Sequence, residues 1–540
     1  MLRSLKLVIN FALTAFVFTF FILLLIGLLN PGVAIEKAGL LPVFLNLLTF
    51  YGPLWFVFIA LTFFVVQFFS ERKYPIGFFN PPTPVYFFSF TMLVVSVLIY
   101  ANYDYYHDFF QAAARDKFIK ILLLNFLLLI LGLVFIFSKS RRRKWLQILF
   151  LLLLLADGLA AYALIMQKVM PLPSAFKYTA PAINPPRQIN MVIMEGLSLN
   201  YLLGSSQEQN LLNLNWIKEN GVIGRLKTHE PNMDLSLFNT LLSGELPAAA
   251  AAHSAFKFQF RDLQLEFDIF PKYIFFRNSA KLDVIDFYKN PGAAPTDRIK
   301  ECYERNGFKT FTMLSPPDWP VYAKKNLKKN NNFVQFFSAT MESKDKKLDI
   351  LKKTFFYDDF IRKQIPELKT RDFRYSLVQL TGLKNVNAHF YHYAHPENFG
   401  NLIDRENSQK YGWILEKYYE YYDAVIGKII GSMGDNELLV VLNFHEIVPM
   451  SVWRRILVNY IGRRDVFVYK PLNTPGAFLL YEKSALKKGL FLETVRLADL
   501  FPTLLYYAGF PLSRGLQGEV VRDIFSDAFL AENPVYFATD

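Results

Sequence analysis

Five long apolar runs in the first 170 residues constrain this chain more than any other feature. They cover Leu7–Leu29, Pro53–Ser70, Val85–Ala101, Phe118–Ser138 and Trp145–Met166. A helix needs about 20 such residues to cross a bilayer, so each run predicts a transmembrane helix. The first is too long for a removable signal peptide, lacks a small-residue cleavage site, and is followed by four more spans. Composition agrees: 53% of the 540 residues are hydrophobic, 17% aromatic, and mean hydropathy is +0.21. The net charge of +13 is unevenly placed, with 14 basic and 6 acidic side chains in residues 1–170 and 45 against 40 in the rest. A cationic excess among apolar runs points to membrane topology, not to nucleic acid. Arg3 and Lys6 precede the first run, Arg72 and Lys73 follow the second, and Lys139 with Arg141, Arg142, Arg143 and Lys144 separates the fourth from the fifth. All three clusters fall on one side, which the positive-inside rule makes cytoplasmic. Everything after Met170 then lies across the membrane. Cys302 is the only cysteine, which excludes an intrachain disulfide.

Two features of the apolar half ask for a reason. Asp157 interrupts the fifth run (LLLLLADGLAAYALIM); a carboxylate there costs about 2.5–3.5 kcal/mol on insertion scales, so it should face the bundle or a polar cavity. It could serve a proton relay or a partner subunit, or it could be a packing residue paired with Asn125 of the fourth run. Asn102–Lys117 (NYDYYHDFFQAAARDK) is rich in rings and should lie at the outer interface, as an aromatic belt, or else as a surface that docks on the outer domain or touches a lipid substrate.

Pro171, Pro173, Pro181, Pro185 and Pro186 make 171–187 a stiff linker. From 188 to 540 strands and helices alternate. Ile189–Met194 reads as a central parallel strand covered on both faces. Helices are predicted over Asn210–Asn220, Leu235–Leu242 and Thr296–Asn306, each ended by a glycine (Gly221, Gly244, Gly307). Strands are predicted at Val222–Leu226, Phe308–Leu314, Val386–Tyr393 and Leu438–Leu442, and a long helix at Gln409–Met433. Ala248–Ala252 and Lys324–Asn332 read as surface loops. The expected architecture is therefore a five-helix transmembrane region (1–170) followed by an α/β domain (188–540). Its mostly parallel sheet would be covered by helices on both faces, with ligands at the carboxyl ends of its strands.

Several stretches carry a family resemblance: VIMEGLSLNYL (192–202), DLSLFNTLLSGELP (234–247), IKECYERNGFKTFTM (299–313), YHYAHPENF (391–399), LEKYYEYYDAVIGKIIGSMGDNELLVVLNFHE (415–446) and RLADLFPTLLYYAGFP (496–511). In order and spacing they resemble the alkaline phosphatase superfamily, in particular its sulfatase-like branch. With five spans ahead of them, they look most like the membrane phosphoethanolamine and phosphoglycerol transferases of bacterial envelopes. That resemblance implies a bacterial inner-membrane protein with a periplasmic domain. It also implies phosphoryl or sulfuryl transfer through a covalent Thr, Ser or Cys intermediate, helped by one or two divalent metals, zinc or manganese.

The residues match this pattern only in part. Glu195, just past a buried strand, stands where the family has an acidic metal ligand, and His395 stands at its second-metal histidine. The Asp-His-Gly-Glu position reads Asn443-Phe444-His445-Glu446, so a strict register loses two ligands and a one-residue bulge would restore His445. The nucleophile position is Asp234 in one register and Asn232 in another, neither with a hydroxyl or thiol; Ser236 and Thr228 are nearby but out of register. Asp234 reads first as a helix cap or a metal ligand, and only after these as a carboxylate nucleophile. Read as a strand, NAHFYHYAHP puts His389 and His395 on one face and His392 on the other. Arg454 and Arg455 offer guanidinium forks for phosphate or an acidic glycan, or equally form a solvated face. Two functions follow: a metal-dependent phospho- or sulfo-group transferase or hydrolase with a rearranged site, or an inactive relative that binds an envelope lipid, glycan or protein partner. Five spans with one internal acid make a transporter the weaker third.

Overall fold

The computed structural model describes every residue except 1, 34–36, 70–81, 138–142, 168, 170–175, 177, 205–209, 250–253, 255, 261–264, 274–284, 291–294, 315–336, 338–344, 371, 453, 456–466, 470, 472–473 and 539–540. Much of the predicted linker, the tip of the alanine loop, the whole of Lys324–Asn332 and most of the two basic clusters after the second and fourth spans lie outside the described residues. The chain forms two compact units. One comprises Met1–Pro173, Met233–Ser236 and Leu246–Ala294; the other Ser174–Asn232, Leu237–Glu245 and Pro295–Asp540.

Among the described residues, the first unit holds five helices long and apolar enough to cross a membrane: α1 (Leu2–Leu29), α2 (Lys37–Phe69), α3 (Pro82–Tyr106), α4 (Ala112–Phe137) and α5 (Arg143–Met166). α2 starts well before the predicted Pro53 and runs through both Pro42 and Pro53, as membrane helices tolerate. Asp157 and Asn125 are buried, and neither polar group has a hydrogen-bond partner among the described residues. Among the described residues the predicted Asn125–Asp157 pairing is therefore not a formed hydrogen bond.

The linear partition at residue 188 differs from the observed one, because 246–294 belongs with the helices. Its three-stranded antiparallel sheet β4–β3–β5 has β3 (Phe256–Phe260) between β4 (Glu266–Phe267) and β5 (Ile285–Lys289). Phe258, Phe260, Phe267, Ile269 and Ile285 share one apolar core with the helices. Asn30, just past α1, fastens it: its carboxamide oxygen accepts from the backbone N–H of Asp268 (3.0 Å) and Ile269 (2.8 Å), and its NH2 donates to the Ile269 carbonyl (2.8 Å). Asn102 accepts from the Lys272 N–H (2.8 Å), and the Tyr106 hydroxyl donates to the Phe270 carbonyl (2.7 Å). Asn30→Ala orphans two backbone donors at a buried site and is expected to cost about 2–3 kcal/mol. The readout is faster proteolysis within 254–290 of the detergent-solubilised protein; unchanged cleavage would contradict the clamp.

The second unit is built on a seven-stranded mixed sheet ordered β12–β2–β11–β8–β1–β7–β6. Its strands are β1 (Gln188–Met194), β2 (Val222–Lys227), β6 (Thr310–Met313), β7 (Tyr375–Leu380), β8 (Glu437–Asn443), β11 (Gly476–Tyr481) and β12 (Leu490–Arg496). All neighbours run parallel except β11, which is antiparallel to both β2 and β8. A separate ribbon pairs β9 (Val448–Pro449) with β10 (Val468–Tyr469). β1 is buried on both faces, as its unbroken apolar run predicts: Ile189, Met191 and Ile193 enter one core and Val192 and Met194 the other. The first core is closed by α8 (Asp234–Ser243), α9 (Arg298–Arg305) and α14 (Leu497–Ala508). The second is closed by α7 (Leu212–Asn220), α10 (Lys346–Thr370), α11 (Gly382–Ala394) and α13 (Trp413–Ser432), the last preceded by the short α12 (Arg405–Tyr411). α6 (Leu199–Leu203) is a single turn after β1, and α15 (Asp527–Glu532) closes the chain.

One predicted strand is a helix. Residues 386–393 lie within α11, and the strand beside β1 is β7, immediately upstream. Leu383, Val386, Phe390 and Tyr393 are buried at intervals of three and four, the helical period.

Candidate functional site

Three parallel neighbours, β1, β7 and β8, end side by side, and their first residues beyond the sheet are Glu195-Gly196, Thr381-Gly382 and Phe444-His445. The Glu195 N–H still pairs with the Leu380 carbonyl at 2.9 Å, which places Glu195 at the sheet's carboxyl edge. Gly196 has φ +92°, a left-handed conformation, and an added Cβ would run into the Lys384 backbone; only glycine fits this turn.

The Glu195 carboxylate is buried and engaged at both oxygens. Gln379, next to last in β7, donates to Oε1 at 2.5 Å, and the Lys384 ammonium, from the first turn of α11, meets Oε2 at 2.6 Å. A cation already sits on this acid. Asn443, the predicted metal-side position, is wholly buried and laces the strand ends together. Its oxygen accepts from the Gly196 N–H (3.2 Å), while its NH2 donates to the carbonyls of Leu197 (2.5 Å) and His445 (2.7 Å). Phe444 is buried and packs edge-on against Phe238 of α8, ring centroids 5.1 Å apart. Glu446 accepts from the N–H groups of Leu199 (3.1 Å) and Asn200 (3.4 Å), the Ser198 hydroxyl (3.2 Å) and the Asn200 amide (3.1 Å), and so caps α6. His445 is buried.

The histidines do not line a strand. His395 is the C-cap residue of α11, half-exposed, with Nδ1 3.2 Å from Glu397 and its ring near Tyr391. His392 is buried within α11 and stacks on Phe467 at 3.9 Å. Burial, and then the charges of Lys347 and His389, hold the His392 imidazole down at about 3. In the unfolded chain it titrates near 6.5, so between these values the unfolded state binds more protons. His392 thus contributes stability that is complete above about 6.5 and lost as pH falls toward 3. His392→Phe should flatten the acid limb of the stability curve measured by urea unfolding; an unchanged slope would contradict the buried neutral ring.

Asp234 is the first residue of α8, where a carboxylate complements the positive helix end. Asn232 is buried and donates to the Pro471 carbonyl at 3.1 Å. Ser236 is buried and Thr228 half-buried. Arg454 lies 3.7 Å above the Tyr469 ring, and Arg455 is buried 5.6 Å from the Phe467 ring.

These residues do not fit a divalent metal. Among the described residues no three His, Cys, Asp or Glu side chains are grouped to hold one. Glu195 is neutralised by lysine, and Asn443 is spent on backbone groups. Glu195 is thus held by Lys384, Asn443 by backbone groups, and His395 by Glu397 at Nδ1 alone.

Sequence reasoning missed a heavily bonded, fully buried acid nearby. Asp358 of α10 is fully buried, and its Oδ2 accepts from the hydroxyls of Tyr418 (2.8 Å) and Tyr422 (2.9 Å) and from the Gly382 N–H (3.0 Å). Its Oδ1 accepts from the Thr381 N–H (3.3 Å). It caps α11 from outside and so sets Lys384 beside Glu195. A Cβ on Gly382 would collide with both Asp358 and Tyr418. The available signal was an acid pair in an aromatic setting (FFYDDF) and tyrosines four apart in YYEYYD.

No protein-family model matches the chain, and no curated protein does. Among solved structures, human ectonucleotide pyrophosphatase/phosphodiesterase 5 aligns over 63% of this chain and 100% of its own, at 10% identity and a TM-score of 0.36. The murine protein gives 10% identity and 0.34, and an inactive murine variant in complex with AMP gives 11% and 0.34, each over 63% of this chain and all of its own. A likeness this loose carries no argument about chemistry.

Proposed function

We propose that the chain is a membrane-anchored relative of the alkaline phosphatase superfamily whose α/β domain binds an anionic envelope glycan or lipid as a non-catalytic subunit of an envelope assembly. In this reading the helical unit sits in a bacterial inner membrane and the α/β unit on its periplasmic side. The superfamily part rests on the order and spacing of the six sequence stretches. The observation that carries the non-catalytic part is the Glu195–Lys384 ion pair at the carboxyl edge of the sheet, where the family's chemistry needs a metal. The register also offers Asp234 or Asn232 where an alkoxide or thiolate would attack, so the phosphoryl group has no hydroxyl or thiol to land on. Arg454, exposed and stacked on Tyr469, presents the guanidinium-and-ring surface that suits an acidic sugar.

The test assays the full-length protein in detergent against phosphodiester, phosphomonoester and sulfate-ester substrates, with zinc or manganese added. The expected result is no turnover beyond that of the Glu195→Ala variant, together with retention on acidic glycans weakened by Arg454→Ala. Turnover that Glu195→Ala abolishes would instead establish the enzyme.

A further inference from the structure

A cavity of about 380 Å³ opens where the first turns of α4 meet the end of α5, at one limit of the apolar span that starts at Ala112. Lys117 lines it and is only 7% exposed. Its ammonium donates to the Gln167 carbonyl, and among the described residues no carboxylate pairs with it. An ammonium withdrawn from water without a counter-charge is costly, so the site calls for an anion. Lys120, one turn on, stands at the rim 2.5 Å from Asp116; both are 55% exposed and all three line the cavity, leaving one net positive charge. The positive end of α4 adds to it.

What surrounds the cavity decides which anion. Lys120 begins a stripe that continues through Leu123, Leu127 and Ile130, at steps of three and four along one face of α4, and all three apolar side chains are exposed. Exposed Leu155 and Leu159 offer a similar surface on α5. Cationic groups above an apolar runway match an amphiphile with a phosphate at one end and acyl chains below it. We propose that this cavity is a binding site for the headgroup of an anionic phospholipid. Lys117 is its buried counter-cation, Lys120 its rim contact, and the leucine stripe the track of an acyl chain. The inference does not rest on the reading of the α/β domain given above.

Native mass spectrometry of the full-length protein in a mild detergent tests it, with phosphatidylglycerol and phosphatidylcholine of identical chains. Phosphatidylglycerol should be retained in preference. Lys120→Gln should weaken its binding about fivefold and Lys117→Gln about tenfold, the scale of single basic contacts to an anionic headgroup. Equal retention of the two lipids, or a preference untouched by Lys120→Gln, would overturn the proposal. Displacement of the lipid by glycerol phosphate would make this a site for a soluble phosphate ester and would also overturn it. Lys120 is exposed, so its variant decides the question even where Lys117→Gln fails to fold.

Discussion

Replacing Asp358 with alanine is expected to cost the α/β unit about 3–5 kcal/mol, the largest effect of any single change proposed. The carboxylate takes four hydrogen bonds in a fully buried site, from Tyr418, Tyr422 and the N–H groups of Thr381 and Gly382. Truncation strands all four donors, and each buried unsatisfied group costs about 1–3 kcal/mol before relaxation. Asp358→Asn keeps one acceptor and should cost roughly half as much. Urea unfolding of the full-length protein in detergent, followed by tyrosine and tryptophan fluorescence, gives the comparison. A loss below about 1 kcal/mol for Asp358→Ala would mean the hub is incidental.

The same residue has a pH signature. Burial pushes the Asp358 carboxyl up to about 7, despite its hydrogen bonds, and pushes Asp297, the N-cap of α9, up to about 6. Both titrate near 3.9 in the unfolded chain. Between those values the folded state holds more protons than the unfolded one, so stability falls as pH rises from about 4 toward 7. This opposes the His392 slope, and Asp358→Asn should leave the His392 trend steeper.

The second large effect concerns the Glu195 pair. Lys384→Met leaves a buried carboxylate with Gln379 and no ammonium, and should destabilise by about 2–3 kcal/mol, discounted because Lys384 is 35% exposed. Glu195→Gln should cost about 1 kcal/mol, and the double variant should recover most of the Lys384→Met loss, since neither charge is then stranded. A double-mutant cycle in urea measures the coupling. Additive costs would show that the ion pair does not hold the strand ends.

Local signals in the sequence are enough for much of this fold. Unbroken apolar runs locate β1 and β8, and glycines end the helices where expected, Gly244 and Gly307 both with positive φ. The helix over 382–394 reads as a strand because aromatic and β-branched residues in NVNAHFYHYAH favour one. What decides it is a cap supplied by Asp358, 24 residues upstream of Gly382. Membership of 246–294 in the helical unit is equally hidden, since it depends on Asn30, Asn102 and Tyr106 meeting backbone more than 160 residues away. For the site, position is legible and role is not. Glu195 does follow the central strand, but whether an acid there holds a metal or a lysine depends on Lys384, placed by a helix that the sequence disguises as a strand.

The central claim is that the carboxyl edge of the sheet is closed by its own charges. Equilibrium dialysis of the full-length protein against zinc and manganese, with metal content read by mass spectrometry, tests it most directly. The account predicts no stoichiometric metal in the wild type and no difference between wild type and Glu195→Ala. One tightly held ion per chain, lost in Glu195→Ala, would contradict it.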